Sequence, residues 1–314
     1  MARPDGAGFI LKPGEVCADI FIMSVSKRTA SSLLAIKQNL LSRYYKVGNT
    51  YQVFFGPLRG VRLFYDGQIS FGEIAGLYDR RTFDILSRIF IEGELIQPEM
   101  TIADVGANVG IYSILFSKLI SSDASAKIFA FEPNPTTADL LEKHVGLNHI
   151  NNIEVVRSAL SDKVGTGQFY SGAFHKTSSL IASHGNGTKN TSYRASPIMV
   201  SMTTFDDFFV KQGREVPDFI KLDIEGAAGF ALSRCGECLS RKRPSFLIES
   251  HDPNEDQAIG SFVTNWGYAA YRLEDQKWVT NPSQVYPHPD GIWGHLILIP
   301  EDLRQKVSKV LRIG

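Results

Sequence analysis

The chain has 314 residues, enough for one large α/β domain or for a domain with a smaller appendage. Lysine plus arginine equals aspartate plus glutamate at 33 each, so no net field directs the chain toward nucleic acid or a membrane surface. No apolar run approaches the about 20 residues of a membrane span. Ala18–Val25 is too short for a signal core and contains Asp19. Three cysteines, an odd number, argue against a disulfide framework and for a reducing, cytoplasmic setting.

In chain order, residues 1–23 read as a loose lead-in, and Ser24–Tyr45 carries helical periodicity through Leu33, Leu34, Ile36, Leu40 and Leu41. Tyr51–Phe55 and Val61–Tyr65 flank a Gly/Pro turn and predict a hairpin. Glu73–Ile91 reads as one amphipathic helix that opens the main domain. The expected division is therefore an extension over 1–72 and an α/β domain over 73–314.

From Met100 the rhythm is strand–helix–strand, the pattern of a parallel sheet covered on both faces. Strands are predicted at Thr101–Ala103, Ile128–Ala130, Ile153–Leu160, Asp218–Ile224 and Pro244–Ser250. Helices are predicted at Ile111–Ile120, at Thr136–Leu147 with Thr136 or Thr137 as cap, and at Glu255–Trp266. Val200–Thr204 reads as extended and Phe205–Val210 as a short helix, with final strands at Tyr268–Leu273 and Gly294–Pro300. Ser171–Pro197 is a polar connection long enough to suggest a functional loop. Cys235 and Cys238 form a lone C-x-x-C without two further ligands, read as packing near a helix end. Asn186 and Asn190 match the glycosylation pattern and mark only a polar loop.

Asp104-Val-Gly-Ala-Asn-Val-Gly110 places a glycine turn between a strand and a helix, with free N–H donors expected at the helix start. Glu132, in Phe131-Glu-Pro-Asn-Pro135, follows the next strand, where a carboxylate accepts from ribose hydroxyls. A dinucleotide site favours glycine where Asn108 stands, and Asp104 would repel a pyrophosphate. That pair suits the methionine end of S-adenosylmethionine better than NAD.

Further on, Lys221 and Asp223 lie two residues apart on one strand, and Glu249 and His251 share that spacing on the next. Ionisable groups in central parallel strands are costly unless paired or used, and strand carboxyl ends are where such sheets bind ligands. Simpler readings exist for each. They are Lys221 as an ion pair with Asp223 or Glu249, Asp223 as the cap of the helix after Gly226, and His251 as an exposed turn residue. Glu225 reads as a helix-start carboxylate. As a reaction centre, the group nominates His251 as base, with Glu249 orienting it or the acceptor, Asp223 as rival base and Lys221 positioning a hydroxyl or offsetting the paired carboxylates. Arg80 and Arg81 are expected to shape acceptor access. A divalent cation on Asp223 and Glu249 is the alternative, but two carboxylates beside a lysine make a poor site, so no metal is expected.

Six segments resemble the FkbM family of S-adenosylmethionine-dependent methyltransferases. They are Asp104–Ser113, Ala130–Pro135, Ser158–Asp162, Thr204–Asp207, Ile220–Gly226 and Pro244–His251. The resemblance runs from about Leu77 to the end, while the first 70 residues carry little of it. It implies a Rossmann-like, mostly parallel seven-stranded class I sheet and O-methylation of a hydroxyl on a sugar or natural-product small molecule. It also implies that Asp104, Gly106, Asn108 and Gly110 cradle the methionine end and Glu132 holds the ribose. Asn134 would support the ribose, and Ser158, Ala159 and Leu160 would flank adenine. One departure stands out: the family usually continues Ala-Glu after Gly226, whereas this chain has Ala227-Ala228. A nicotinamide oxidoreductase and a non-catalytic cofactor-binding module are the competing readings. Neither a nucleic acid nor a membrane partner is expected.

Overall fold

The computed structural model describes residues 45–92, 99–120, 126–171, 178–181, 197–283, 285–286 and 294–311. The predicted helix over 24–45, except its last residue, and most of the polar connection over 171–197 lie outside them, as do Asn186 and Asn190. The chain divides into two compact units, Met1–Tyr78 and Asp79–Gly314.

In the first unit, β1 (Thr50–Gln52) pairs antiparallel with β2 (Arg62–Phe64), Tyr51 opposite Leu63. Helix α1 (Phe71–Ala75) opens on a capping box, Ser70 with Glu73, and ends at Gly76 with φ 78°. A Cβ at Gly76 would stand 2.0 Å from the Phe55 carbonyl oxygen, so only glycine fits this stop. The single helix predicted over 73–91 is therefore two, and the second, α2 (Arg80–Ile91), belongs to the other unit.

That unit is built on one sheet. Its strands are β3 (Thr101–Val105), β4 (Lys127–Phe131), β5 (Ile153–Val156), β9 (Phe219–Leu222), β10 (Ser245–Glu249), β11 (Tyr268–Arg272), β12 (Lys277–Trp278) and β13 (His295–Pro300). Among the described residues they lie in the order β12-β11-β13-β10-β9-β3-β4-β5. Neighbours from β5 to β10 are parallel, and β13 is antiparallel to both β10 and β11. This is the mostly parallel class I sheet implied by the resemblance, with the two-residue β12 added at one edge. Strand order reverses at β3, with β4 on one side and β9 on the other, which opens a crevice at the carboxyl ends.

The strand predicted over 153–160 divides. After Val156 the chain leaves the main sheet, and β6 (Ala159–Leu160) pairs with β8 (Ile198–Thr203), itself paired with β7 (Gly165–Phe169). Ala159, Phe169, Val200 and Met202 form an apolar cluster of their own. The helices that cover the main sheet include α3 (Ile111–Leu119), α4 (Pro135–Leu147) and α7 (Pro253–Trp266). Helix α4 is capped by Asn134, which accepts from the Thr136 and Thr137 N–H groups, rather than by either threonine. The turn after Phe205 is π-helical over Asp206–Lys211. Short helices α5 (Ala228–Leu232) and α6 (Gly236–Arg241), with a terminal α8 (Arg304–Leu311), complete the unit.

Two aromatic groups lock these layers. Phe131 and Phe208 meet edge to face at 4.8 Å, with Phe129 and Phe209 beside them, while Phe90 packs on Phe116 and Phe219. Each such fully buried ring contributes about 1.5–3 kcal/mol. Cys235 and Cys238 are buried at the start of α6, their thiols donating to the Leu232 and Phe205 carbonyls, and burial pushes Cys235 up to about 12. No helix among the described residues is long and apolar enough to cross a membrane.

Candidate functional site

At the end of β3 the chain turns through Gly106 (φ 74°), Asn108 (φ 51°) and Gly110 (φ 90°) before α3. Asparagine is among the few side chains that tolerate the left-handed region, so Asn108 takes a glycine's place without breaking the turn. Three N–H groups of the turn ahead of the helix are engaged. Those of Gly106 and Ala107 donate to the Phe131 carbonyl at 3.1 and 2.9 Å, and that of Asn108 to Glu132 Oε2 at 3.0 Å. The other Glu132 oxygen accepts the Asn134 N–H at 2.8 Å. The turn and the carboxylate after β4 are thus stapled together. Each Glu132 oxygen keeps a lone pair for a further donor. Burial pushes the Glu132 carboxyl up to about 7, against these two N–H donors.

Asp104 is fully buried beneath the turn, accepting from Ser113 Oγ at 2.6 Å with Lys221 Nζ at 3.5 Å. Burial raises its pKa despite Lys221. Asn108 Oδ1 is a buried acceptor with no hydrogen-bond partner among the described residues. An orphaned acceptor on a positive-φ turn fits the ammonium end of a methionine-like group. Leu160 packs into the main core and Ala159 into the small sheet, which leaves Ser158 as the partly exposed member of the expected adenine trio. Asn134 donates from Nδ2 to Ser171 Oγ at 3.2 Å besides capping α4.

Beside the crevice lies the second half of the site. Lys221, 2% exposed in the middle of the sheet, donates to the Gly106 carbonyl at 2.8 Å and pairs with Asp223 Oδ2 at 3.3 Å. Burial would lower its pKa, but Asp223 and Asp104 outweigh that and raise it. Asp223 is itself held well below the usual carboxylate range, against burial, by Lys221 and His251. A Cβ on Gly106 would stand 1.9 Å from the Asp223 carbonyl oxygen. Gly106 is thus needed for close packing as well as for its φ, and turn and cluster touch backbone to backbone as well as through the Lys221 side chain.

His251 Nε2 faces three carboxylates: Asp223 at 3.5 Å, Glu225 at 3.8 Å and Glu249 at 3.9 Å. Its Nδ1 lies 3.0 Å from Glu255 Oε2, which also accepts the His251 N–H at 2.8 Å. Burial opposes a charged imidazole, yet Asp223, Glu255 and Glu225 push His251 up to about 11. Burial pushes Glu225 and Glu249 up to about 7. An imidazole already carrying both protons accepts none, which counts against His251 acting as base in this state.

The structure therefore brings Lys221, Asp223, Glu249 and His251 into one cluster, next to Asp104 and Gly106. Several partners differ from those expected. Glu255, rather than Glu249, orients His251. Lys221 pairs with Asp223, one of its two expected partners, and with Asp104 rather than Glu249, and it is Glu255, not Asp223, that accepts at the start of α5. Glu225 sits at φ 48° facing His251 rather than inside a helix start. Arg80 pairs with Asp84 on the surface, and Arg81 donates to the Glu274 carbonyl. His295, unnoticed in the sequence, lies opposite Glu249 in the β10–β13 register, its Nε2 3.5 Å from both Glu249 and Asp79. Asp252-Pro-Asn-Glu255 has the spacing of a capping box, which could have drawn attention to Glu255.

The FkbM methyltransferase domain model matches residues 104–270, from the end of β3 into β11. The chain belongs to the FkbM methyltransferase family. This FkbM chain is 35% identical over 66 residues to methyltransferase sdnD of Sordaria araneosa, covering 21% of the chain and 24% of that protein. It is 23% identical over 225 residues to the AMB antimetabolite synthetase AmbE of Pseudomonas aeruginosa, covering 60% of the chain and 10% of that protein. The chain thus spans only a small part of these two curated relatives. Among solved structures it is similar to the methyltransferase FkbM of Methylobacillus flagellatus KT. That match has 14% identity and a TM-score of 0.39, and covers 68% of this chain and 47% of that one. It is also similar to a SAM dependent methyltransferase of Aquifex aeolicus, with 13% identity and a TM-score of 0.38, covering 70% of this chain and 92% of that one. At the family position where this FkbM chain has Ala228, a carboxylate reaches the turn from α7 instead. Glu255 Oε1 accepts the Ala228 N–H at 2.8 Å.

Proposed function

We propose that the protein transfers a methyl group from S-adenosylmethionine to a hydroxyl of a small molecule, a sugar or natural product. One observation carries this reading. The ribose-type acid, the turn with its orphaned acceptor, and the ionisable cluster form one connected unit, Glu132 to Asn108 to Gly106 to Asp223. S-adenosylmethionine, when bound, contributes a methyl group already activated on sulfur. The residues of the chain have two tasks. Glu132, Asn108 and Asp104 fix the donor end, and the cluster positions the acceptor and receives its proton. Alignment of this kind is worth about 7–11 kcal/mol in well-ordered cases.

Within the cluster, Asp223 is engaged by Lys221, and Glu255 by two backbone N–H groups and an imidazole. That leaves Glu225 and Glu249, whose nearest imidazole nitrogens stand at 3.8 and 3.5 Å, as the carboxylates open to a proton. A match to part of an antimetabolite synthetase supports a natural-product acceptor.

Calorimetry comparing S-adenosylmethionine with NAD tests the cofactor, with heat expected only from the first. Methyl transfer from labelled S-adenosylmethionine to a panel of sugars and hydroxylated natural products tests the reaction. His251→Ala is expected to leave S-adenosylmethionine affinity within about twofold and to lower turnover at least about tenfold. Unchanged turnover at saturating acceptor removes His251 from the reaction.

A further inference from the structure

The geometry points to a divalent transition-metal site formed by Asp223, Glu249 and His251 at the carboxyl ends of β9 and β10. One donor atom from each converges within 4.8 Å of the others. The imidazole Nε2 stands 3.5 and 3.9 Å from the two carboxylate oxygens, beyond the 2.7–3.2 Å of a hydrogen bond. Donors bound at about 2.1 Å to a tetrahedral centre lie about 3.4 Å apart, close to these separations.

An acidic cluster alone would mean little, and here the imidazole makes the difference. Glu255, whose side chain is fully buried on α7, fixes His251 through Nδ1 and through the backbone N–H, so that Nε2 is aimed at the carboxylates. A carboxylate holding the far nitrogen of a ligating histidine is the usual support of a metal-bound imidazole.

Lys221, the feature that counted against a metal, is turned aside. It holds Gly106, Asp104 and Asp223 Oδ2, and leaves Asp223 Oδ1 to face His251. Three carboxylates then surround one nitrogen with no lysine or arginine ion-paired to Glu225 or Glu249 among the described residues, and a dication bound there takes the place of the proton on Nε2. One nitrogen and two oxygens suit Zn²⁺ or Mn²⁺ better than the all-oxygen shells of Mg²⁺ and Ca²⁺. A positively charged acceptor would meet the same carboxylates but has no use for the aimed nitrogen.

The role of the ion rests on the methyl-transfer reading, whereas its binding does not. The acceptor oxygen takes an open position on the ion and its O–H bond breaks, the proton passing to Glu225, which is not a ligand. The oxygen then forms the new O–C bond as the C–S bond breaks, its electron pair remaining on sulfur.

The test uses the full chain stripped with a chelator. Mn²⁺ is titrated in while the paramagnetic signal of free Mn²⁺ is followed, and Zn²⁺ is titrated by calorimetry. One saturable site per chain is expected, weakened at least tenfold in Asp223→Asn, Glu249→Gln and His251→Ala. Glu255→Gln should weaken it about 10–100-fold through orientation. Should those variants fail to fold, the wild-type Mn²⁺ complex decides the matter by its nitrogen hyperfine coupling, which requires a bound imidazole. No saturable binding, no nitrogen coupling, or an adventitious ion that ignores all the substitutions overturns the proposal. S-adenosylmethionine titrated separately keeps the two readings apart. Cofactor heat without metal binding sinks only the ion, and metal binding without cofactor heat sinks only the cofactor crevice.

Discussion

The two halves of the site are held in opposite ways. In the cofactor half, Gly106, Ala107, Asn108 and Asn134 donate backbone N–H groups at 2.8–3.1 Å to the end of β4 and to Glu132. In the reaction half, His251 meets Asp223, Glu225 and Glu249 at 3.5–3.9 Å, and the carriers are side chains. A backbone staple fixes a shape before any ligand arrives. A loosely spaced set of charges fixes little until a proton, an ion or a substrate joins it. On the proposed function, the first half is a preorganised grip and the second a place for chemistry. Lys221 joins them, since it donates to the turn and neutralises the cluster at once.

That contrast can be broken in several places. The largest effect is expected for Lys221→Met, which leaves Asp104 and Asp223 without their shared cation and costs about 3–5 kcal/mol in stability by urea unfolding. A loss below about 1 kcal/mol would show that the two halves stand independently. Gly106→Ala forces a Cβ against the Asp223 carbonyl at a positive φ, and about 2–4 kcal/mol is expected from strain and overpacking together. It should also disturb both cofactor affinity and turnover, whereas an effect on affinity alone would separate the halves.

Glu132→Gln sharpens the comparison further. Removing the anion should weaken S-adenosylmethionine by about 1.5–3 kcal/mol, the worth of charge-assisted hydrogen bonds. The sign with pH follows from the raised carboxyl. With a pKa of about 7, Glu132 is protonated in the free protein below that pH and must lose the proton to hold a ribose. Affinity should fall as pH drops below about 7, by up to tenfold per unit, and be flat above it. Glu132→Gln should be flat throughout, and a wild-type profile level from pH 5 to 8 would contradict the assignment. The smallest effect is Asn134→Ala, which removes the cap of α4 and should lower stability by about 1 kcal/mol. A change in turnover there would be unexpected.

The same division governs what could be read in advance. Asp104 to Gly110 and Glu132 lie within one strand–turn–helix–strand run, so local spacing was enough to place the turn, the helix and the carboxylate. The alternation of Lys221 with Asp223, and of Glu249 with His251, marked one face of each strand, again a local property. Register could not be read that way. That His295 lies opposite Glu249 depends on β13 pairing antiparallel with β10, and that Glu255 reaches both His251 and Ala228 depends on how α7 packs. Local signals misled at three points. Gly76 ends a helix because of what lies beside it, Ala159 leaves the main sheet for β8, and Asn134 displaces the threonines as cap.

By itself, then, the amino-acid order determined the α/β class, the glycine turn, the carboxylate after β4 and the four ionisable residues at two strand ends, because each depends on neighbours a few positions away. Only the tertiary structure decided which carboxylate holds which nitrogen, where Lys221 points and how charge is distributed around His251. Those outcomes depend on distances between segments tens of residues apart. At such sites the balance between burial and pairing, rather than residue type, sets the chemistry.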